Sequence, residues 1–349
     1  MKILFVDFKS SENYDFQYMH SNSLGGTEST VLRIARELAT EHEVYISQIN
    51  REKPYHEESI HFIHYNDGLL FKKSPPDRII ILRKQKLLKI YSNRYPDAKL
   101  FVWIHNFQKY EALGRRHLVT KSGAKIICVS RHLQEHTDKI MNGPVSWLSR
   151  IFTFQYQKAP ITFIYNPVDE AFSKNNTPID KNKLLFFSAA YKGLSMVVKH
   201  FSKLLQQDPS YRLYIAGSTS ERIRNILKDN ELDNSKSITI LGKIPREEVI
   251  THLRQSFCLF YPQNIHPETF GMVFIEANCT GTPVLAHPFG SAVEIINDEE
   301  QLVDARDPST IISRVLNWKE NGRPVVSCQE RFKLPGIMER WKEVLELNG

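Results

Sequence analysis

At 349 residues the chain is too long for one small core and suits two domains. Its hydrophobic share of 41% is ordinary for a globular protein, and no run approaches the roughly 18 uninterrupted apolar residues of a membrane span. The net charge of +7 comes without a nucleic-acid recognition motif, so nucleic acid is not an expected partner.

The N-terminus, MKILFVDF, is expected as a first strand. It lacks the long apolar region and small-residue cleavage site of a signal peptide. After a polar loop comes Leu24-Gly25-Gly26-Thr27-Glu28, then a helix with Val31, Ile34, Ala35 and Leu38 on its inner face. Two glycines before a helix let a ligand approach the backbone and its terminal N–H groups. No G-x-G-x-x-G accompanies them, which disfavours a nicotinamide-dependent enzyme.

Further short apolar runs predict strands at Val44–Ser47, His61–His64, Ile79–Leu82, Leu100–Ile104, Lys125–Val129 and Thr162–Ile164. They alternate with helical stretches, the pattern of a parallel, doubly wound sheet. His105 ends one of these strands, where a side chain meets the ligand crevice of such a sheet. Up to Tyr165 the chain carries 24 Lys and Arg against 16 Asp and Glu, and the remainder is near neutral. The densest basic stretch holds Lys72, Lys73, Arg83, Lys84, Lys86 and Lys89. It reads either as a solvated face or as attraction to an anionic membrane or a phosphorylated acceptor. The aromatic segment Trp147 to Tyr156 reads by default as core, with a lid or a membrane contact as the alternatives. Cys128, Cys258, Cys279 and Cys328 are widely spaced and are expected as thiols of a reducing, cytoplasmic compartment, with no disulfide and no metal.

Ser173 to Asn182, SKNNTPIDKN, is the linker candidate, which gives domains at 1–172 and 183–328 with a linker at 173–182. A second strand series follows at Leu184–Phe187, Leu213–Ala216, Ile238–Leu241, Phe257–Tyr261 and Val284–Ala286. After its first strand comes SAAYKGL, where Lys192 beside Gly193 opens a helix and can neutralise a phosphate. HPETFGMVFIEANCTGTPV, from His266, places Glu268 in a loop and Glu276 two turns into a helix of about Phe270 to Cys279. The first N–H groups of that helix, near Thr269, Phe270, Gly271, Met272 and Val273, form an anion cradle flanked by two carboxylates. A ligand bearing both phosphates and hydroxyls, such as a nucleotide sugar, fits that pattern. The last 21 residues, 329–349, contain an amphipathic helix with Ile337, Trp341 and Leu345 at near-helical spacing.

Glu268, Glu276, the Phe270-Gly271 pair and Gly281-Thr282-Pro283-Val284 resemble the Glu-x7-Glu motif of retaining glycosyltransferases of family 4. The GGTE loop, His105, the KGL at Lys192, Ile164 to Asp169 and Leu241 to Ile244 are similar to further stretches of that family. The resemblance implies a GT-B fold: two doubly wound Rossmann-like domains facing a cleft, with the last helix returning to the first. It implies transfer of a sugar from a UDP- or GDP-sugar to a glycan or lipid-linked hydroxyl, with no metal or other cofactor. Within it, Glu268 and the backbone after it meet the donor sugar and Glu276 meets the ribose. Lys192 meets the diphosphate, Ile244 lies by the base, Gly25 and Gly26 approach the diphosphate and the acceptor, and His105 positions the sugar. The first domain takes the acceptor, at the inner face of a membrane if that acceptor is lipid-linked. One departure stands out: the loop before Lys192 is short, with Ala189 and Ala190 where an Arg is usual. A weakly active nucleotide-sugar-binding protein, a glycoside hydrolase and a nucleotide-sugar epimerase are the rival readings.

Overall fold

A computed structural model describes residues 1–22, 24–65, 71–152 and 157–347, without the side chains of 148–152. The chain divides into two compact units. The first comprises Met1–Met19, Leu24–Pro167 and Pro335–Gly349; the second comprises His20–Ser23 and Val168–Leu334.

The first unit is built on eight strands: β1 (Lys2–Asp7), β2 (Glu43–Gln48), β3 (Tyr55–Glu57), β4 (Ile60–His64), β5 (Arg78–Leu82), β6 (Lys99–Ile104), β7 (Lys125–Cys128) and β8 (Ile161–Phe163). Their order is β3-β4-β2-β1-β5-β6-β7-β8, and every pairing except β3 with β4 is parallel. Ile79, Ile80, Ile81 and Leu82 are all fully buried, as expected of a parallel strand covered on both faces. The chain fills one side of β1 with β2 and β4, then crosses to β5 on the other. The switch point therefore lies between β1 and β5. β3 was not expected, because Tyr-His-Glu carries no apolar alternation; it forms as a short antiparallel edge on β4.

The last helix, Leu334–Leu345, closes this unit. Trp341 is fully buried and meets the Trp103 ring edge-on at 4.7 Å. Arg78 donates to the carbonyls of Leu345 at 2.6 Å and Glu346 at 3.1 Å, satisfying acceptors that a helix end leaves open.

The second unit has β9 (Asp180–Phe187), β10 (Arg212–Ala216), β11 (Ile238–Gly242), β12 (Ser256–Tyr261) and β13 (Val284–Ala286), all parallel, in the order β11-β10-β9-β12-β13. Its switch point lies between β9 and β12. β9 begins inside the stretch expected as linker: Asp180 pairs with Arg212, and its carboxylate accepts from the Asn182 N–H.

Three expectations are corrected. Cys279 and Cys328, 49 residues apart, are joined by a disulfide, because the chain after the helix Pro308–Asn321 returns to the end of the helix Met272–Cys279. Only Cys128 and Cys258 are free buried thiols. Arg83 does not belong to a solvated basic face; its guanidinium grips both oxygens of fully buried Asp7, at 2.8 and 2.9 Å. Trp147 is exposed rather than in the core, and 153–156 of that aromatic segment lie outside the described residues. Among the described residues no helix is long and apolar enough to cross a membrane.

Candidate active site

The two strands that flank the second switch point, β9 and β12, end at Phe187 and Tyr261 and release the loops 188–193 and 262–271 at the same end of the sheet. Gln263, fully buried, organises the second loop. Its amide oxygen accepts from the N–H groups of Ile265 and His266, and its Nε2 donates to the His266 carbonyl. The first loop packs directly on it. Gly193 has φ +88°, and a Cβ there would fall 2.6 Å from Gln263. Only glycine allows that conformation and that approach.

Lys192 is thereby held beside Glu268. Its Nζ donates to both carboxylate oxygens, at 2.9 and 2.7 Å. The Tyr261 hydroxyl donates to the same carboxylate at 2.8 Å. Burial and the adjacent Glu268 push the Tyr261 phenol well above its ordinary range, so it stays a donor. The Glu268 backbone is fixed as well: its carbonyl accepts from both the N–H and the hydroxyl of Ser291, each at 3.0 Å. Glu268 is thus a buried carboxylate with its orientation set from three sides, which its position in a loop did not suggest.

Three residues on, Gly271 takes φ +84° and starts the helix Met272–Cys279. A Cβ at Gly271 would lie 2.6 Å from the Phe274 ring. The cap residue Gly271 has no side chain to offer, and the first N–H groups of such a helix suit an anion. Glu276 lies on the same helix and is half-buried, with Thr269 and Phe270 in the approach. The helix starts two residues later than expected because Gly271 holds the left-handed conformation.

The remaining candidates lie elsewhere. Ile244, half-buried, follows β11 at the same end of the second sheet, in the loop before the helix Arg246–Gln255. That loop is tied to its neighbour by the Gly217 N–H, which donates to the Gly242 carbonyl at 2.9 Å. Gly25, Gly26 and His105 belong to the first unit. Gly25 and Gly26 are exposed at the start of the helix Gly26–Leu38, which also has no side-chain cap. Glu28 in its first turn accepts from Arg83 at 3.2 Å. Asp7 at the end of β1, Arg83 just after β5, and Glu28 thus form one ion network at the first switch point, with the Tyr14 hydroxyl donating to Asp7 at 3.2 Å. His105 follows β6 with its ring 4.6 Å from Trp103. Burial, aided by the Arg83 cation, pushes it down to about 3, so the ring is neutral near pH 7.

A hollow of about 560 Å³ lined by Phe71, Lys72, Pro76, Asp77, Arg94 and Tyr95 lies before β5 and β6. These are the amino ends of the strands, away from where doubly wound sheets bind ligands. Among the described residues no group of three His, Cys, Asp or Glu is arranged to hold a metal.

Residues 168–333 match the glycosyl transferases group 1 family. That match covers just under half of the chain. The group 1 region contains the whole Lys192–Glu268 site. D-Inositol 3-phosphate glycosyltransferase of Corynebacterium efficiens is 33% identical over 129 residues, covering 34% of this chain and 30% of the relative. An uncharacterized glycosyltransferase of Methanocaldococcus jannaschii is 26% identical over 206 residues, covering 58% and 51%. The chain thus spans between about a third and a half of the length of these curated relatives. Among solved structures, the lipopolysaccharide outer core galactosyltransferase WaaB in its apo form superimposes over 100% of both chains, with TM-score 0.61 and 16% identity. The trehalose 6-phosphate synthase of Burkholderia multivorans gives TM-score 0.65 at 11% identity over 99% of this chain and 96% of that one. These likenesses show the GT-B fold for the whole chain.

Within the group 1 region, sequence reading missed Tyr261, Gln263 and Ser291. A Tyr ending an apolar strand reads as core, and nothing local marks Gln263 as fully buried. The signal that could have found Gln263 is the Pro262-Gln263-Asn264 turn immediately after a strand at the switch point.

Proposed function

We propose that the protein is a retaining glycosyltransferase that moves a sugar from a UDP- or GDP-sugar to a hydroxyl of a glycan or lipid-linked acceptor, without a metal. The carrying observation is the Lys192–Glu268 pair at the β9–β12 switch point, next to an uncapped helix that bears Glu276. In this reading the diphosphate lies at the start of that helix, Lys192 offsets the charge that develops as it leaves, and Glu276 accepts from the ribose. Glu268 accepts from sugar hydroxyls, while Tyr261 and Ser291 keep it in place. The chemistry asked of the protein is positioning and charge stabilisation, with the departing phosphate taking the acceptor's proton.

Acceptor binding falls to the first unit, with Gly25, Gly26 and neutral His105 as contacts. A peripheral contact with anionic membrane would use Lys84, Lys86 and Lys89. Lys72 and Lys73 precede β5 and these three follow it, so the basic stretch is divided between opposite ends of the sheet. The commitment of Glu268 to Lys192 and Tyr261 favours ligand holding over the acid–base pair of a glycoside hydrolase.

The test is incubation of the pure protein with a panel of nucleotide sugars and acceptors, with and without EDTA, and NMR of the product's anomeric centre. Transfer with retention that survives EDTA is expected. Inversion rejects the retaining class, loss of all turnover on EDTA rejects metal independence, and binding without transfer leaves a nucleotide-sugar-binding protein.

A further inference from the structure

The Lys192 ammonium is already matched by the Glu268 carboxylate, so a diphosphate arriving beside the pair meets one cation largely spent on a neighbour. A second positive group is needed to balance a ligand with more than one negative charge. Lys192 follows Tyr191, whose side chain is unusual in standing 57% exposed at the end of a parallel sheet. Its ring meets the His266 ring at 5.3 Å on one flank, and the guanidinium of Arg222 lies 5.9 Å from its centroid. That is within the range at which an aromatic ring orients a cation.

The placement of Arg222 follows from how two loops are stitched. After β10 the chain makes a close turn at Gly217, φ +97°, where a Cβ would fall 2.6 Å from the Ser188 carbonyl oxygen. The Ser218 hydroxyl accepts from the Ala190 N–H at 2.7 Å, so the loop after β10 is bound to the loop that carries Lys192. The next residue, Thr219, caps the helix Ser220–Asp229, accepting from the Arg222 N–H. Arg222 is thus in the first turn of a helix that starts directly over loop 188–193. Its side chain is exposed and makes no ion pair among the described residues. Glu221 beside it and Arg224 are exposed on the same helix, but Arg222 is the one whose guanidinium meets the Tyr191 ring.

We propose that Arg222 is a second cation for the diphosphate of the nucleotide ligand, and that Tyr191 is the positioning residue that holds its guanidinium beside Lys192. The inference rests on the nucleotide-sugar reading above and adds a residue from a different element of the fold. Arginine suits the task, since its planar fork can engage two phosphate oxygens at once.

The experiment is calorimetric titration of the full chain with UDP, GDP and ADP and with the matching monophosphates. Wild type is expected to bind one diphosphate at least about tenfold more tightly than its monophosphate, the worth of a charge-assisted contact. Arg222→Gln should remove most of that advantage while leaving monophosphate affinity within about twofold, and Arg222→Lys should keep part of it. Tyr191→Phe should behave as wild type, and Tyr191→Ala should lose part of the advantage without changing monophosphate binding. Circular dichroism and urea midpoints matching wild type confirm that these exposed changes leave the fold intact. If wild type prefers the diphosphate and Arg222→Gln prefers it equally, the inference fails and the nucleotide reading stands. If wild type binds none of the six nucleotides, both fail.

Discussion

Lys192 reaches Glu268 across 76 residues of sequence and donates to both of its oxygens, so the two residues form a single charged unit at the β9–β12 switch point. Glu268 is nearly inaccessible, at 7% of its side-chain surface, while Lys192 keeps 27%. Removing the lysine leaves a buried carboxylate without its counter-ion. Lys192→Ala is expected to cost about 1–3 kcal/mol of stability, as well as at least tenfold in turnover. Urea unfolding and initial rates on the same preparation check both parts. Unchanged stability would show that the pair contributes nothing to the fold.

Glu276→Ala is expected to weaken binding of the bare nucleotide by about tenfold to a hundredfold, the worth of hydrogen bonds to a charged acceptor. Glu276→Gln should retain part of it. Calorimetry without sugar isolates this effect from turnover, and an unaltered dissociation constant would remove the ribose role.

Gly271→Ala places a methyl group into the Phe274 ring and forces a left-handed φ on a side-chain-bearing residue. A cost of about 1–2 kcal/mol is expected from the backbone alone, with nucleotide affinity falling as the helix start shifts. The thermal midpoint and a nucleotide titration are the measurements. Gly143→Ala, where an added Cβ meets nothing within 4 Å, serves as the comparison.

Buried histidines set an acid limit on stability. Burial holds His105 down to about 3 and His252 to about 4, and it also lowers His200. In the unfolded chain each takes a proton near pH 6.5. Between those values the unfolded state binds more protons, so stability falls as pH drops below about 6.5, by at most about 1.4 kcal/mol per pH unit for each histidine. Urea midpoints at pH 7.5 and pH 5 should differ in that direction, and His105→Asn should reduce the difference. Equal midpoints would show these rings are not held neutral.

The twelve strands expected from the sequence all form, because Val, Ile, Leu and Phe in short runs leave little alternative to a sheet covered on both faces. What local pattern could not carry was pairing at a distance. Arg83 reads as one more lysine-like charge in a basic stretch until Asp7, 76 residues earlier, turns out to be its partner. Cys279 and Cys328 meet only after an intervening helix reverses the chain. Glu268 and Glu276 were legible as a pair because one loop and one helix hold both. Tyr261, which bonds Glu268, and Gln263, which organises its loop, were not, since their roles depend on contacts made after β9 and β12 align.

The first sheet depends on the last helix, and that has a consequence for how the chain is made. Trp103, in the sixth strand, is covered by Trp341, which leaves the ribosome more than two hundred residues later. By then residues 168–334, the body of the second unit, have all been synthesised. The segment made first is therefore completed second. In the interval its sheet carries an apolar face around Trp103 with no cover of its own, and Arg78 waits without the carbonyls it will cap. A nascent chain stalled before residue 335 would offer that face to a holding chaperone, and one stalled after residue 347 has emerged would not.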